Sequence, residues 1–305
     1  MSRKVQDWLL AILTVVLVGI LLFPYLFAFP PTNPASEQSD IAQGSMTPCS
    51  VVFMSCGQAD STLLYTDRYT MLIDCGLNDS YGRIRNQLEA MGVDHLDAVV
   101  LTHPHLDHGG GMAQVLRHFP TAQVYFADIP ESLTSTAKWF TRILDAIEET
   151  GSALTILKEG DTIEMGTTGG KLEVLHSGNG SDLNNCSLVL RMTYGATKVL
   201  LTADIEREAE ARLVASGKTI QADILKVPHH GSRSSSTRDF LQQVQPKVAV
   251  ISCGEDNEYG YPKPDVLQRL EEVGAAIYRT DTQGHVTVLL NGDTYEIKTE
   301  VQDAA

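Results

Sequence analysis

From residue 49 onward, short apolar runs alternate with segments whose apolar residues lie three and four positions apart. The apolar runs are typical of buried strands, and the wider spacing predicts helices. Strands are predicted at 50–54, 62–65, 70–74, 96–101, 123–126, 171–175, 187–192, 197–202, 222–227, 248–252, 276–278, 286–290 and 294–298. Helices are predicted at 83–91, 112–118, 135–150, 206–216, 240–244 and 264–273. This alternation predicts an α/β domain at 49–300, with mixed sheets covered by helices.

The start of the chain follows a different pattern. Residues 8–29 carry no charged side chain and are long enough to cross a bilayer as a helix. Arg3 and Lys4 precede this segment and acidic residues follow it, so the positive-inside rule predicts a single-pass anchor with the domain outside the cell. A cleaved signal peptide is the alternative, and it would give a secreted protein. Residues 30–48 are rich in Pro, Ser and Thr and are predicted to form a flexible linker.

Composition restricts the classes of function. The formal net charge is −15, from 38 acidic and 23 basic residues, which disfavours nonspecific binding of nucleic acid through surface charge. The charge does not exclude an enzyme for phosphodiesters, because bound metal ions supply a local positive field. The five cysteines contain no CxxC pair, so neither a zinc ribbon nor a dense disulfide framework is expected.

A cluster of metal-binding side chains follows the predicted strand at 96–101. His103, His105, Asp107 and His108 fall within six residues, just before a run of glycines. Imidazole nitrogens and carboxylate oxygens are ligands that borderline divalent metals prefer. His103 and His105 can project the same way, and Asp107 and His108 can face a second position. The segment therefore predicts half of the ligands of two adjacent metals, and the alternative is a loop of solvated histidines.

Two further strand ends carry similar groups. Asp204 follows the predicted strand at 197–202, and His229 and His230 follow the strand at 222–227. Sites in β/α proteins lie at such ends. Taken alone, Asp204 is equally compatible with a helix N-cap. We expect one of the two adjacent histidines to bind metal and the other to serve orientation.

These segments resemble the metallo-β-lactamase superfamily, whose HxHxDH signature matches residues 103–108. Within it they resemble the hydrolase domain of ComEC-like DNA-internalisation competence proteins. The matching segments are 56–64, 72–76, 184–190, 200–204, 225–232, 248–254 and 278–284. The likeness extends over roughly 50–298. Because only one apolar segment is long enough to span a membrane, it implies a stand-alone domain tethered outside the cell.

The resemblance implies a four-layer αββα sandwich with two divalent metal ions, zinc or manganese, and no organic cofactor. In the implied arrangement the first metal is held by His103 and His105, the second by Asp107, His108 and His229 or His230, and Asp204 bridges both. Asp74 would order the ligand loop by accepting backbone N–H bonds. Catalytic roles fall to Asp107 and His230, and Asn185 and Ser232 would contact substrate. Asn184 and Asn185 stand where many members of the superfamily carry a further histidine, so the first site is expected to be the weaker one.

The implied function is hydrolysis of a phosphodiester by a hydroxide shared between the metals. Its substrate would be nucleic acid, such as single-stranded DNA during uptake, or a phosphodiester of the cell envelope. Hydrolysis of a lactam, lactone or thioester at the same site is the first alternative. A non-catalytic DNA-binding surface module is the second.

Overall fold

A computed structural model describes residues 46–134 and 136–301. The predicted membrane segment at 8–29 lies outside the described residues, as does most of the predicted linker. No helix in the described part of the chain combines the length and the apolar character that a bilayer span requires.

The first half of the domain builds most of an eight-stranded sheet. Its spatial order is β15-β14-β1-β2-β3-β4-β5-β6, and the strands from β3 to β6 run parallel. The bounds are β1 (Cys49–Phe53), β2 (Thr62–Tyr65), β3 (Thr70–Ile73), β4 (Leu96–Leu101), β5 (Thr121–Ala127), β6 (Ala153–Leu157), β14 (Val286–Leu290) and β15 (Tyr295–Thr299).

The second half builds a seven-stranded sheet with the order β13-β12-β11-β10-β9-β8-β7. Strands β10 to β13 run parallel, and the remaining pairs are antiparallel. The bounds are β7 (Thr162–Glu164), β8 (Lys171–His176), β9 (Val189–Tyr194), β10 (Thr197–Leu201), β11 (Ile224–Lys226), β12 (Val248–Ile251) and β13 (Ala276–Arg279).

Helices follow the parallel strands in both halves. Those among the described residues are α1 (Tyr81–Ala90), α2 (Leu106–Gly109), α3 (Met112–His118), α4 (Lys138–Thr150), α5 (Arg207–Ala215), α6 (Arg238–Val244), α7 (Pro264–Glu272) and α8 (Thr280–Gln283). Short 3-10 turns form at Glu131–Leu133 and Pro228–Gly231.

Three apolar clusters separate the layers. One lies between the two sheets, where Val100 of β4 and Val199 of β10 are both fully buried. A second fills the space between the outer face of the first sheet and α1, α3 and α4. A third lies between the second sheet and α5, α6 and α7. The alternating side-chain directions of a strand explain this arrangement, because central strands such as β4 and β10 contribute both to the inter-sheet cluster and to one outer cluster.

The predicted strands all form, with ends displaced by at most two residues. The predicted helix at 135–150 begins at Lys138. Strands β6 and β7 and the one-turn helices α2 and α8 were not predicted, and each is too short or too exposed to leave a periodic signal.

Candidate metal centre

The candidate site lies where strands of both sheets reach their carboxyl ends. The chain leaves β4 into the segment of His103 to His108, and it leaves β10 and β11 at Asp204 and His230. A backbone hydrogen bond from Leu188 N to Thr102 O, 2.9 Å long, joins the two sheets beside this point. Each ligand-bearing segment is therefore fixed by the strand before it.

Left-handed backbone conformations concentrate at the same place. Asp74, Ala203, His229 and His230 have φ values of 61°, 46°, 51° and 53°. Such conformations cost about 1–3 kcal/mol for residues other than glycine and persist where the surrounding structure enforces them. The strain is a physical sign that these turns are shaped for a site rather than for the stability of the fold.

Four buried residues bring their ligand atoms together. Asp60, His108, Asp204 and His230 each offer one nitrogen or oxygen, and these atoms all lie within 4.8 Å of one another. His108 Nε2 is 3.3 Å from Asp204 Oδ2, and His230 Nε2 is 3.6 Å from the same oxygen. We call these four residues the ligand cluster. It combines residues from both halves of the chain.

The hydrogen bonds of the ligand cluster fit a divalent cation. His108 donates from Nδ1 to Asp74 at 2.7 Å, and His230 donates from Nδ1 to the carbonyl oxygen of Ser252 at 2.8 Å. Both bonds turn the Nε2 lone pair of the neutral imidazole toward the centre. His108 Nε2 and Asp204 Oδ1 are buried and have no hydrogen-bond partner among the residues that the structure describes. Because buried polar atoms are nearly always satisfied, a cation bound between them explains both.

The pKa values of the ligand cluster also indicate a site for positive charge. Burial alone would lower the pKa of His230, but Asp204, Asp60 and Asp107 raise it to about 8. Despite its burial, His108 has a pKa well above its usual range because Asp204 and Asp74 lie beside it. Burial would raise the pKa of Asp204, but His108 and His230 hold it well below its usual range. The centre attracts positive charge, which protons supply when no metal is bound.

A second pair of imidazoles adjoins the ligand cluster. His103 Nε2 and His105 Nδ1 are 3.0 Å apart, and the His103 ring centroid is 4.2 Å from that of His108. Burial holds the pKa of His103 well below its usual range, which keeps the ring neutral. Neutral imidazoles with converging nitrogens are suited to bind a metal. Asp107 adjoins the ligand cluster, with Oδ2 3.3 Å from His230 Nε2 and 4.0 Å from His108 Nε2.

Asp74 anchors the ligand segment, as the resemblance implies. Its Oδ1 accepts the backbone N–H of Thr102 at 2.9 Å, and its Oδ2 accepts the Thr102 hydroxyl and His108 Nδ1–H at 2.7 Å each. Burial raises the pKa of Asp74. The carboxyl group thus fixes the start of the ligand segment and the ring orientation of one of its members.

The two adjacent histidines face different surroundings. His230 belongs to the ligand cluster, whereas His229 is partly exposed and its Nε2 is 3.9 Å from Asp204 Oδ2. His229 Nδ1 is 3.0 Å from Glu206 Oε1. The sequence leaves open which of the two histidines binds metal, and the geometry favours His230, because its ring nitrogen lies among the ligand atoms.

Hydroxyl groups form the rim beside His229. Tyr261 donates from its hydroxyl to Ser232 Oγ at 3.1 Å, and its ring meets that of His229 edge-on at 5.9 Å. Ser232 also contacts Ser234 at 2.8 Å. Ser232 therefore lies beside the site, and its contact with substrate stays a prediction.

Asn185 departs from its expected role as a substrate contact. Its Oδ1 accepts the backbone N–H groups of Glu206 and Ala209, and its Nδ2 donates to Asp182. The amide is buried and fully used in fixing the start of α5, so it has no group left for a substrate. Its position, where many members of the superfamily carry a further histidine, suggests a site residue, but the amide serves a helix terminus.

Asp60 is the member of the ligand cluster that the sequence did not single out. Its Oδ2 is 2.6 Å from Nζ of Lys226, and both side chains are buried. Asp60 lies in a loop before β2, where a lone aspartate usually forms a turn. The available signal was its place inside the segment 56–64 of the family resemblance, together with a lysine at the end of the apolar strand β11.

Comparisons with known proteins agree with this geometry. The sequence profile of the metallo-beta-lactamase superfamily matches residues 54–255. The metallo-beta-lactamase fold protein YhfI from Bacillus subtilis aligns with a TM-score of 0.54 and 14% identity, covering 80% of this chain and 100% of that chain. CmlA, a diiron beta-hydroxylase from Streptomyces venezuelae, aligns with a TM-score of 0.54 and 11% identity over 79% of this chain and 54% of that chain. At these identities the likeness shows the fold alone.

Among curated proteins, ComE operon protein 3 of Bacillus subtilis (strain 168) is 36% identical over 199 residues, 65% of this chain and 25% of that protein. Competence protein ComA of Neisseria gonorrhoeae is 30% identical over 241 residues, 77% of this chain and 31% of that protein. The chain thus spans about a quarter to a third of the length of these relatives. Hydroxyacylglutathione hydrolase of Aeromonas salmonicida (strain A449) is 40% identical over 67 residues, 20% of this chain and 26% of that protein.

The resemblance to ComEC-like competence proteins is confirmed by these relatives. The superfamily profile extends from the end of β1 to just past β12, and it includes every residue of the ligand cluster. The chain therefore belongs to the metallo-beta-lactamase superfamily.

Proposed function

We propose that the chain is a metal-dependent hydrolase of phosphodiesters in nucleic acid. The observation that carries the proposal is the ligand cluster, in which buried nitrogens and oxygens from both sheets converge and leave atoms without partners. The name of one relative, Competence protein ComA, and the resemblance to the DNA-internalisation family support a nucleic-acid substrate. An envelope phosphodiester would use the same chemistry.

The donor set is suited to two divalent cations. Asp60, His108, Asp204 and His230 would hold one ion, with Asp107 beside them, and His103 and His105 would hold a second. When bound, the ions supply Lewis-acid activation of a water molecule and of a phosphoryl oxygen. Imidazole and carboxylate donors accept zinc or manganese according to supply.

The protein's own groups orient the substrate and move protons. Glu206 fixes the His229 ring through Nδ1, and the Nε2 of His229 then faces the centre, where it can pass a proton to the leaving oxygen. Ser232 Oγ, held by the Tyr261 hydroxyl, can turn its own hydroxyl hydrogen toward a phosphoryl oxygen at the rim. Asp107 orients the attacking water by accepting its hydrogen bond.

We further propose that the enzyme acts outside the cytoplasm. The uncharged segment at 8–29 and the basic residues before it support a membrane anchor that exports the domain. Protease treatment of intact cells should remove the domain and leave the N-terminus protected. Protection of the domain in intact cells would contradict this part of the proposal.

The activity test uses detergent-solubilised full-length protein stripped with a chelator and reloaded with zinc or manganese. The reloaded protein should hydrolyse bis(p-nitrophenyl) phosphate and single-stranded DNA, and Asp204→Asn should reduce both rates at least about a hundredfold. Metal analysis accompanies each assay. Metal-loaded protein that turns over neither substrate would refute the proposal.

A thioester hydrolase is the second candidate. The local likeness to hydroxyacylglutathione hydrolase over 67 residues favours it, although that match covers only 20% of this chain. S-lactoylglutathione and the lactam nitrocefin belong in the same assay series. Turnover of either substrate in excess of both phosphodiesters would establish this second function instead.

A further inference from the structure

A small cavity adjoins the candidate metal centre, and His103 belongs to both. Its volume is about 150 Å³. Pockets that enclose drug-sized ligands begin at about 300 Å³, so this cavity admits a single ring rather than a whole nucleoside or a lipid chain. Its place beside a predicted metal ligand puts any occupant next to the reacting group.

The wall of the cavity is suited to an aromatic ring. Phe126 and Phe140 contribute rings with centroids 5.9 Å apart, and Ile156 of the edge strand β6 adds an aliphatic surface. Stacking on aromatic side chains is how proteins without sequence preference hold the bases of single strands. An aromatic occupant would also cover Ile156, whose exposed fraction is 42%.

The polar part of the wall is suited to the edge of a base. Asp128 and Thr134 are exposed, and the Asp128 carboxylate makes no hydrogen bond or ion pair with another described residue. A free carboxylate accepts hydrogen bonds from the amino groups of bases, as in contacts with cytosine N4. The cavity therefore combines an apolar interior with an acceptor for a base edge.

We propose that this cavity, which we call the base pocket, receives one nucleobase of the substrate. The inference rests on the proposed function and deepens it, because it selects a nucleic acid over an envelope phosphodiester. A base in the base pocket would hold the attached phosphate beside His103. Specificity for nucleic acid then comes from one ring rather than from surface charge, which suits a chain with a net charge of −15.

The test compares two esters that share one leaving group. The p-nitrophenyl ester of deoxycytidine 5′-monophosphate carries a base, and methyl p-nitrophenyl phosphate does not. The metal-loaded full-length protein should have a KM for the cytidine ester about tenfold lower, the effect of one base–aromatic contact. Ile156→Gln should raise the KM for the cytidine ester severalfold relative to that for the methyl ester.

Leu154 provides a matched control on the same strand. It is as exposed as Ile156, at 43% against 42%, and it does not line the cavity. Leu154→Gln should therefore leave the KM ratio of the two esters unchanged. Saturation-transfer NMR with deoxycytidine 5′-monophosphate and metal-free protein gives a second readout, in which Ile156→Gln alone weakens transfer to the base protons.

The outcomes separate the base pocket from the proposed function. Turnover of both esters with equal KM values, unchanged in Ile156→Gln, would overturn the base pocket and leave the hydrolase proposal standing. Transfer to the base protons without turnover of either ester would support the base pocket and refute the hydrolase. Equal effects of Ile156→Gln and Leu154→Gln would also overturn the base pocket.

Discussion

His229 and His230 are neighbours in sequence with opposite chemical surroundings. Both have positive φ, and this turn directs one ring to the buried centre and the other to the rim. The carbonyl oxygen of Ser252 sets the tautomer of His230, whereas Glu206 contacts the same nitrogen of His229. Two identical side chains can therefore have separate roles, one toward a metal and one toward a proton.

Removing each ring in turn should separate these roles. We expect His230→Ala to lose about one equivalent of bound metal and at least about a hundredfold in turnover. His229→Ala should keep its metal and lose turnover through the missing proton transfer, by about 10²–10⁴-fold. Metal analysis after dialysis, together with kcat for a phosphodiester, checks both. Loss of metal from His229→Ala alone would reverse the assignment.

Asp60 and Lys226 form a buried ion pair at the margin of the ligand cluster. Removing one partner of such a pair leaves an uncompensated buried charge, which costs about 3–5 kcal/mol. Lys226→Met should lower the free energy of unfolding of metal-free protein by this amount, measured by denaturant titration. Added zinc should restore part of the lost free energy of unfolding, because a zinc ion can replace the ammonium group beside Asp60.

The control is another lysine–aspartate pair on the surface. Lys247 lies 2.9 Å from Asp223, and its side chain is 67% exposed. Lys247→Met should change the stability little, because water screens an exposed pair. If Lys226→Met and Lys247→Met lower the free energy of unfolding by similar amounts, the buried pair contributes no more to stability than the exposed one.

At the scale of elements, the sequence predicts strands better than it predicts their partners. The buried strands β3, β4 and β10 are apolar runs, so their own residues specify them. Strand β6 is an exposed edge strand that pairs only with β5, and β7 has three residues held by β8. These two strands depend on distant pairing, which a local pattern does not contain.

The residues of the candidate site likewise include some that the sequence could predict and some that it could not. The six-residue segment from His103 to His108 could be found because its members are adjacent and chemically unusual. Asp60 and Lys226 could not be paired from the sequence, because their contact spans the two sheets. Which of His229 and His230 faces the metal depends on a hydrogen bond to the Ser252 carbonyl group. Every residue has such a group, so the sequence does not indicate which one will bind a histidine.

Glycines allow the first helices to approach the Asp74 turn. A Cβ atom added to Gly111, just before α3, would lie 2.3 Å from the carbonyl oxygen of Cys75. That oxygen belongs to the backbone, so the clash can be relieved only by moving α3 or the turn. A Cβ atom added to Gly82, within α1, meets nothing within 4 Å.

These two positions should respond to alanine in opposite directions. Gly111→Ala should destabilise the protein by about 1–3 kcal/mol, as overpacking does, and should also weaken metal binding by shifting the ligand segment. Gly82→Ala should stabilise it by up to about 1 kcal/mol, because alanine favours a helix. Thermal unfolding checks the signs. Destabilisation by both variants would contradict this account of the α3 contact.

At the scale of the whole molecule, the ligand cluster joins the two halves of the sandwich. Asp60 precedes β2 and His108 lies in α2 after β4, both beside the first sheet, whereas Asp204 and His230 follow strands of the second sheet. A bound metal therefore adds a further link to the apolar cluster, the Leu188–Thr102 hydrogen bond and the Asp60–Lys226 pair that already join the sheets. Without a metal, Lys226 and protonated imidazoles balance the carboxylates of the centre.

Metal removal should consequently lower the stability of the whole domain. A ligand at a hundred times its Kd stabilises a folded protein by about 2.7 kcal/mol. For a domain of this size that corresponds to a fall in Tm of roughly 5–10 °C on chelation, visible by calorimetry. The Tm of Asp204→Asn should change little on addition of chelator, because this variant already binds metal weakly. A Tm that is unchanged or raised by chelation of metal-loaded protein would mean that the ligand cluster does not join the sheets.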